Sequence, residues 1–301
     1  MEHPGLDDAY LRYIQATPEN QRYIQSFYLP FFQRCRGQVV DLACGHGDFV
    51  QLLNEQGVTA IGVDSDPDCA AEARRRGIHI VQSDVLDYLR QVEENCLAGI
   101  FSAHLVEHLP YPQVMELIRL SYRALEPGGL ILIVTPNVRG LYPHLESFYM
   151  HFGHVSFYHP RLLCFFLDYF GYSDPRVGEN PRMAQPLWRG GIWPDPARYE
   201  AGAGEARLSP VRYDALLPSS YHNVVGRIIS RFKGYAARLI VQPLLDQVVV
   251  GVNRRLLYLE AYVESVRKHL MALDRSVECF VYATKGEIAL DLPPECVGER
   301  L

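Results

Sequence analysis

From residue 38 onward, short apolar runs alternate with polar-faced stretches, and this rhythm organises the first half of the chain. The runs are QVVDLA (38–43), VTAIGVD (58–64), IHIVQSD (78–84), LAGIFSA (97–103) and GGLILIVTP (128–136). Between them, stretches near 48–56, 67–76, 85–93 and 112–125 read as helices. Strands alternating with helices at this spacing imply right-handed crossovers and a parallel, doubly wound α/β sheet covered on both faces. Ahead of it, residues 7–34 read as two helices, with Thr17 as an N-cap and Pro18 at a first helical position. Residues 160–170 form a further helix that ends at Gly171, a residue suited to the C-cap.

The rhythm stops at residues 178–221, which are rich in Pro, Gly, Arg and Trp and read as an irregular loop, either a lid or a flexible insert. Two helices follow. In the first, Val224, Val225, Ile228, Ile229, Phe232, Tyr235, Ala236, Leu239 and Ile240 form one apolar stripe, and the other face carries Arg227, Arg231, Lys233 and Arg238. In the second, Leu245, Val249, Val252, Leu256, Leu259, Val263, Val266, Leu270 and Leu273 alternate spacings of four and three, a heptad seam that Gly251 weakens. A strand at 276–286 then rejoins the sheet. The expected division is a helical cap (1–36), a core domain (37–178 plus 276–286), a loop or lid (179–221), a helical hairpin insertion (222–275) and a tail (287–301).

Composition narrows the function classes. Hydrophobic residues make up 48% of the 301 and charged residues 21%, as in a globular protein with a sizeable core. A net charge of -6 gives no general attraction to nucleic acid or anionic membrane. The seven cysteines are scattered with no C-x-x-C pair, which speaks against a disulfide framework or zinc site and for a reducing compartment. The acidic, polar start is no secretory signal, and no apolar run approaches the ~18 residues of a membrane span, so a cytoplasmic protein is expected.

The chemistry concentrates in DLACGHGDFV (41–50), between the first strand and first helix, where such sheets hold ligands. A dinucleotide loop wants G-x-G-x-x-G. Here Ala43 holds the first glycine position and Val50 stands three after Gly47. Asp41 ends the strand and Asp48 opens the helix, so two carboxylates would repel a pyrophosphate, with no lysine in the loop to compensate. An ammonium and sulfonium ligand fits better. Ala43 asks the backbone to accept a Cβ, which a strand-end conformation allows.

An acid at the strand end followed by G-x-G resembles motif I of the class I S-adenosylmethionine-dependent methyltransferases. The likeness continues through Asp64 in AIGVDSDP, Asp84 in VQSDVLDY, FSAHLVEHLPYP after strand four and LEPGGLILIVTPN through strand five, covering about residues 38–175. It implies a Rossmann-like, mostly parallel seven-stranded sheet whose last strand is antiparallel, with S-adenosylmethionine as cofactor. It also implies a cofactor surface of Asp41, Ala43, Gly45, Gly47, Asp64, Ser65, Asp84, Val85, Ser102 and His104. In it Asp64 accepts the ribose hydroxyls, Asp84 the adenine amino group, and the Val85 amide meets the ring.

The acceptor is less plainly written. The NPPY-type tetrapeptide of nucleic-acid amino-methyltransferases is replaced by SAHL (102–105), and no basic groove is evident, so no nucleic-acid substrate is expected. The Glu107–His108 pair is similar to small-molecule O-methyltransferases, including the ubiquinone-biosynthesis type, some of which bind a divalent metal through E-x-x-E-H. His104 replaces the first acid of that array, and the reading taken is no metal, with Glu107 and His108 shaping the pocket. The segment 141–172 resembles bacterial methyltransferases of surface polysaccharide and glycan biosynthesis, which implies a sugar hydroxyl or amine as acceptor. His154, then His108 and His104, are the candidate bases, since they fall on loops beyond strands four and five. The plainer alternative is that His151, His154 and His159 only pin the 140–160 loop, and that Tyr149 and Tyr158 are packing residues. Expected partners are a small-molecule or glycan acceptor, a peripheral membrane surface through 224–240, and a second copy through 245–273; the alternative for the helical pair is a lid on its own catalytic domain or an intramolecular hairpin that uses the same seam. The competing class is a non-catalytic adenosyl-binding assembly protein acting through its coiled coil.

Overall fold

The structure, a computed structural model, describes residues 17–140, 143–144, 148–183, 231, 235, 239, 242–273 and 275–300. In chain order its main elements are α1 (Pro18–Gln25), β1 (Gln38–Leu42), α2 (Asp48–Glu55), β2 (Ala60–Asp64), α3 (Pro67–Arg75), β3 (Ile80–Gln82) and α4 (Val85–Gln91). They continue with β4 (Leu97–Ala103), α5 (Tyr111–Ala124), β5 (Leu125–Pro136), α6 (Pro160–Tyr169), β6 (Ser173–Glu179), α7 (Gln242–Leu273) and β7 (Glu278–Thr284). The strands form one seven-stranded sheet in the order β3-β2-β1-β4-β5-β7-β6. Strands β1 to β5 run parallel, and β7 lies antiparallel between β5 and β6. The order reverses between β1 and β4, which opens a crevice at their carboxyl ends.

Burial explains why the strands read as continuous apolar runs. Val39 and Val40 point to opposite faces of β1 and both are fully buried, as a parallel sheet covered on both sides requires. One face packs on α4, α5 and α6 through residues such as Val40, Ile100, Leu117 and Leu167. The other is aromatic: Phe27, Tyr28, Phe31 and Phe32 meet Phe49, Phe101 and Phe280, with the Phe49 and Phe101 rings 4.0 Å apart at their centroids. Each such buried ring contributes roughly 1.5–3 kcal/mol. Helix starts follow the capping signals, since Thr17 Oγ1 accepts from Asn20 N (3.2 Å) and Asp66 Oδ1 from Asp68 N (2.7 Å).

Four departures from the sequence reading have local causes. Strand β6 went unread because SDPRVGE mixes Pro, Asp, Arg and Gly. It is tolerated at the sheet edge, where a register shift between Ser173 and Arg176 absorbs Pro175. Strand β5 begins three residues earlier than expected and β3 is shorter. In the segment read as a tail (287–301), the described residues 287–300 fold back: Glu299 bridges Val177 of β6, and Cys296 is buried. The residues read as a cap contribute Phe27 to Phe32 to the aromatic core.

The chain divides into two compact units, residues 1–186 with 273–301, and residues 187–272. The part of the helical reading of 7–34 that precedes residue 17, nearly all of the lid and the basic helix at 224–240 lie outside the described residues, apart from single positions. In the second unit, α7 runs for 32 residues. Leu245, Val249, Val252 and Leu256 of its seam are half-buried, whereas Leu259, Val263 and Val266 are exposed. Among the described residues, no helix is long and apolar enough to cross a membrane.

Candidate active site

The loop after β1 is built from left-handed backbone. Ala43, Gly45 and Gly47 have φ of 58°, 54° and 78°. A Cβ on Gly47 would sit 2.9 Å from Ile78 Cγ2, so close packing as well as φ demands glycine there. A Cβ on Gly45 would meet nothing within 4 Å, which leaves an open cradle on that side of the loop. Asp64, at the end of β2, holds the loop in place: its Oδ2 accepts from Gly45 N (2.7 Å) and its Oδ1 from Asp66 N (2.9 Å). The expectation that Ala43 sits in a strand-end conformation is corrected. Its φ is that of the glycine the motif ordinarily carries, and an alanine pays for it in strain.

The acids also differ from the reading of two carboxylates facing a ligand. Asp41 is only 3% exposed, and burial, then the charges of Asp64 and Asp48, push its carboxyl well above the usual range. Asp48 turns away into an ion pair with Arg76 Nη2 (2.6 Å), while Arg76 Nη1 donates to His46 O (3.3 Å). The compensating cation lies outside the loop, at the end of α3, a distant position that periodicity cannot reveal. The Cys44 thiol is pushed far up by burial, then by Asp41 and Asp64, so it is chemically quiet.

The remaining cofactor candidates spread around the crevice. Ser65 is exposed and Val85 is buried. Asp84 caps α4, its Oδ1 accepting from Leu86 N (2.8 Å) and Asp87 N (3.1 Å), so both cap bonds fall on one oxygen. Ser102 corrects the reading of an accessible contact. It is fully buried within β4 between β1 and β5, and its Oγ has no hydrogen-bond partner.

His104, with φ of 54°, lies at the centre of a charge network. Its Nδ1 is 3.1 Å from Glu107 Oε1 and its Nε2 is 3.1 Å from Glu278 Oε2, the ring half exposed and both carboxylates buried. Desolvation opposes charge on the ring, but the hydrogen bonds and charges of the two glutamates outweigh it and raise its pKa to about 10. Burial opposes ionisation of Glu107 as well, yet His104 reverses the balance and lowers its pKa. Glu278 Oε1 also accepts from Tyr28 Oη (2.5 Å) and Asn180 Nδ2 (2.7 Å), and Thr135 Oγ1 donates to Glu107 Oε2 (3.2 Å). The reading of His104 as a base is thereby corrected, because an imidazolium at neutral pH has no lone pair to accept a proton.

His108, His151 and His154 form a second cluster, with ring centroids 4.7–4.9 Å apart. The chain returns to His108 because Glu107 O accepts from Val155 N (2.8 Å) and Ser156 N (3.1 Å). His154 Nδ1 lies 2.6 Å from Phe148 O, and burial lowers its pKa, so the ring is neutral with its lone pair on Nε2. The pinning alternative has support too, since His151 Nδ1 accepts from Gly153 N (3.1 Å) and His159 Nδ1 caps α6 by accepting from Arg161 N (3.1 Å). Tyr158 is core, its hydroxyl donating to Leu109 O (2.7 Å), and Tyr149 is exposed. A separate cavity of about 980 Å³, lined by Arg161, Asp168, Thr284 and Arg300, opens beside the start of β5, at the far end of the sheet.

Residues 13–174, more than half of the chain, match the family described as Methyltransferase domain. A carboxy-S-adenosyl-L-methionine synthase of Trichodesmium erythraeum (strain IMS101) is 24% identical over 146 residues, 46% of this chain and 55% of its own. A ubiquinone biosynthesis O-methyltransferase of Pseudomonas fluorescens (strain SBW25) is 28% identical over 108 residues, 33% of this chain and 44% of its own. The chain thus spans about half the length of these curated relatives. In fold, it resembles a SAM dependent methyltransferase from Archaeoglobus fulgidus with a TM-score of 0.62 at 21% identity, covering 93% of this chain and 100% of that one.

Two outcomes test the site's energetics. Ala43→Gly relieves the left-handed strain and raises stability by about 1 kcal/mol, read as a higher urea midpoint; a lower midpoint contradicts the assigned backbone. Because His104 is held protonated in the fold to about pH 10, its contribution is fully present below the ordinary pKa of about 6.5. It is lost as pH rises from there through 10. Thermal melts of wild type therefore fall across that window, while His104→Gln starts lower, by on the order of 2 kcal/mol after screening at the half-exposed ring, and stays flat. Parallel pH curves for the two proteins rule the charged triad out.

Proposed function

Because the chain belongs to the family of S-adenosylmethionine-dependent methyltransferases, we propose that it moves a methyl group to a hydroxyl or amine of a small molecule, a sugar or glycan of surface polysaccharide biosynthesis. The observation that carries the cofactor reading is the Asp64 clamp on a loop of three left-handed residues, with the Gly45 side left open. The cofactor residues we assign are Asp41, Ala43, Gly45, Gly47, Asp64, Ser65, Asp84, Val85 and His104. Bound there, S-adenosylmethionine supplies a methyl group already activated by its sulfonium. The chain then has to position the acceptor, exclude water and take up a proton. His154 Nε2 suits the last task, with His108 beside it, and such a base is worth about 10²–10⁴ in rate for a hydroxyl acceptor.

The sugar acceptor rests on the resemblance of residues 141–172 to glycan-biosynthesis methyltransferases. A quinone or phenol hydroxyl is the second reading, favoured by the relative named for ubiquinone biosynthesis. A non-catalytic assembly role is the third, favoured by the exposed Leu259, Val263 and Val266 of α7, which would pair with a second copy. Membrane contact through 224–240 rests on its basic face alone.

Calorimetry should show binding of both S-adenosylmethionine and S-adenosylhomocysteine, weakened at least tenfold by Asp64→Ala; a folded sample that binds neither defeats the cofactor reading. A labelled-methyl screen against nucleotide sugars, glycans and phenols should label a sugar, and labelling confined to phenols transfers the claim to the second reading. Light scattering of the full chain should give a dimer or larger species, and a monomer at high concentration removes the paired α7.

A further inference from the structure

The cluster of His108, His151 and His154 does more than a single base requires. One donor nitrogen from each ring lies within 4.8 Å of the other two, and no fourth His, Cys or carboxylate joins them among the described residues. We infer that these three imidazoles bind one divalent transition cation of the zinc class, with an open coordination position for an oxygen ligand.

Three features of the chain serve such a site. His154 donates from Nδ1 to the Phe148 carbonyl, which fixes the tautomer and aims the Nε2 lone pair outward, the arrangement that orients metal-binding histidines. The two bonds from Val155 N and Ser156 N to Glu107 O hold the 151–154 turn against the residue preceding His108, so donors distant in sequence are brought together before any ion arrives. Gly153 makes room for the rings: a Cβ there would lie 2.7 Å from His108 Nδ1 and 3.3 Å from a carbon of the His151 ring, although its backbone needs no glycine.

The donor set decides the class of ion. Neutral imidazoles suit zinc, cobalt, nickel or copper, whereas magnesium and calcium prefer oxygen. Metal–nitrogen bonds of about 2.0–2.1 Å put tetrahedral donors about 3.3 Å apart, so the rings close by about 1.5 Å or less on binding. Ligation through His151 exchanges the Gly153 N–H bond for the cation. The site differs from the E-x-x-E-H array considered from the sequence, because the Glu107 carboxylate is committed to His104 and Thr135. Three protein ligands leave a position for water or an acceptor oxygen. A hydroxyl bound there would have a lowered pKa and would release its proton to solvent water, so no side-chain base would be needed. That use rests on the methyltransferase reading; the metal site itself does not.

The test uses the full chain, stripped with a chelator and titrated with Co²⁺ by visible absorption and with Zn²⁺ by calorimetry. One ion per chain is expected, with affinity falling below about pH 6.5 as protons compete for the imidazoles. His151→Ala and His154→Ala should each weaken binding at least tenfold, and Gly153→Ala should weaken it by displacing His108, while His79→Ala, on an exposed histidine outside the cluster, should not. Wild type that binds no Co²⁺ or Zn²⁺, or cluster variants that bind like wild type, overturns the site. Where a variant misfolds, X-ray absorption on zinc-loaded wild type decides: three imidazole ligands support the assignment and fewer than three overturn it. Calorimetry with S-adenosylhomocysteine on the same samples separates the two claims, since loss of cofactor binding with metal binding intact sinks only the methyltransferase reading.

Discussion

The carboxyl end of the sheet depends on one imidazolium shared by two buried carboxylates. His104 follows β4, Glu107 sits in the turn three residues on, and Glu278 begins β7, 174 residues away. Around them converge Tyr28 from the N-terminal helical segment, Thr135 from β5 and Asn180 from beyond β6. Two unpaired buried carboxylates would cost several kcal/mol, so these segments hold together or each exposes an uncompensated charge. The network therefore specifies where β7 inserts. Its first residue, Glu278, pairs in register with Pro136 at the end of β5, so strand register and charge pairing enforce each other. The left-handed backbone at His104 is the local strain this pairing maintains.

The same arrangement divides labour among residues that look alike in the sequence. Of three aspartates around the glycine loop, Asp48 is neutralised by Arg76, Asp41 is buried and resists ionisation, and Asp64 clamps the loop backbone. Of the three candidate bases, His104 is a structural cation, while burial keeps the His154 ring neutral at the crevice. The division follows burial and partner charge, because an ionisable group takes its protonation state from its surroundings more than from its type.

Much of the α/β core could be read directly. Runs such as QVVDLA and LAGIFSA are buried on both faces, and that doubled burial gives them an unbroken apolar pattern. Helix starts at Thr17, Asp66 and Asp84 follow from side chains that cap only their own first turn. Strand β6 escaped because an edge strand tolerates Pro175 and charged residues that a central strand would reject. The left-handed φ of Ala43 escaped because a residue name carries no torsion angle. The His108–His151–His154 cluster escaped because His108 lies more than forty positions before the other two, and backbone bonds to Glu107 bring the segments together.

By itself, then, the amino-acid order determined the alternation of strands and helices, the place of the ligand loop and the family likeness, all properties of short windows whose neighbours are close in sequence. The tertiary structure alone decided which acid faces which cation, which histidine carries a proton and which imidazoles share a space. Electrostatic and ligand-binding states depend on distance and burial in three dimensions, and a chain of 301 letters contains those only after it has folded.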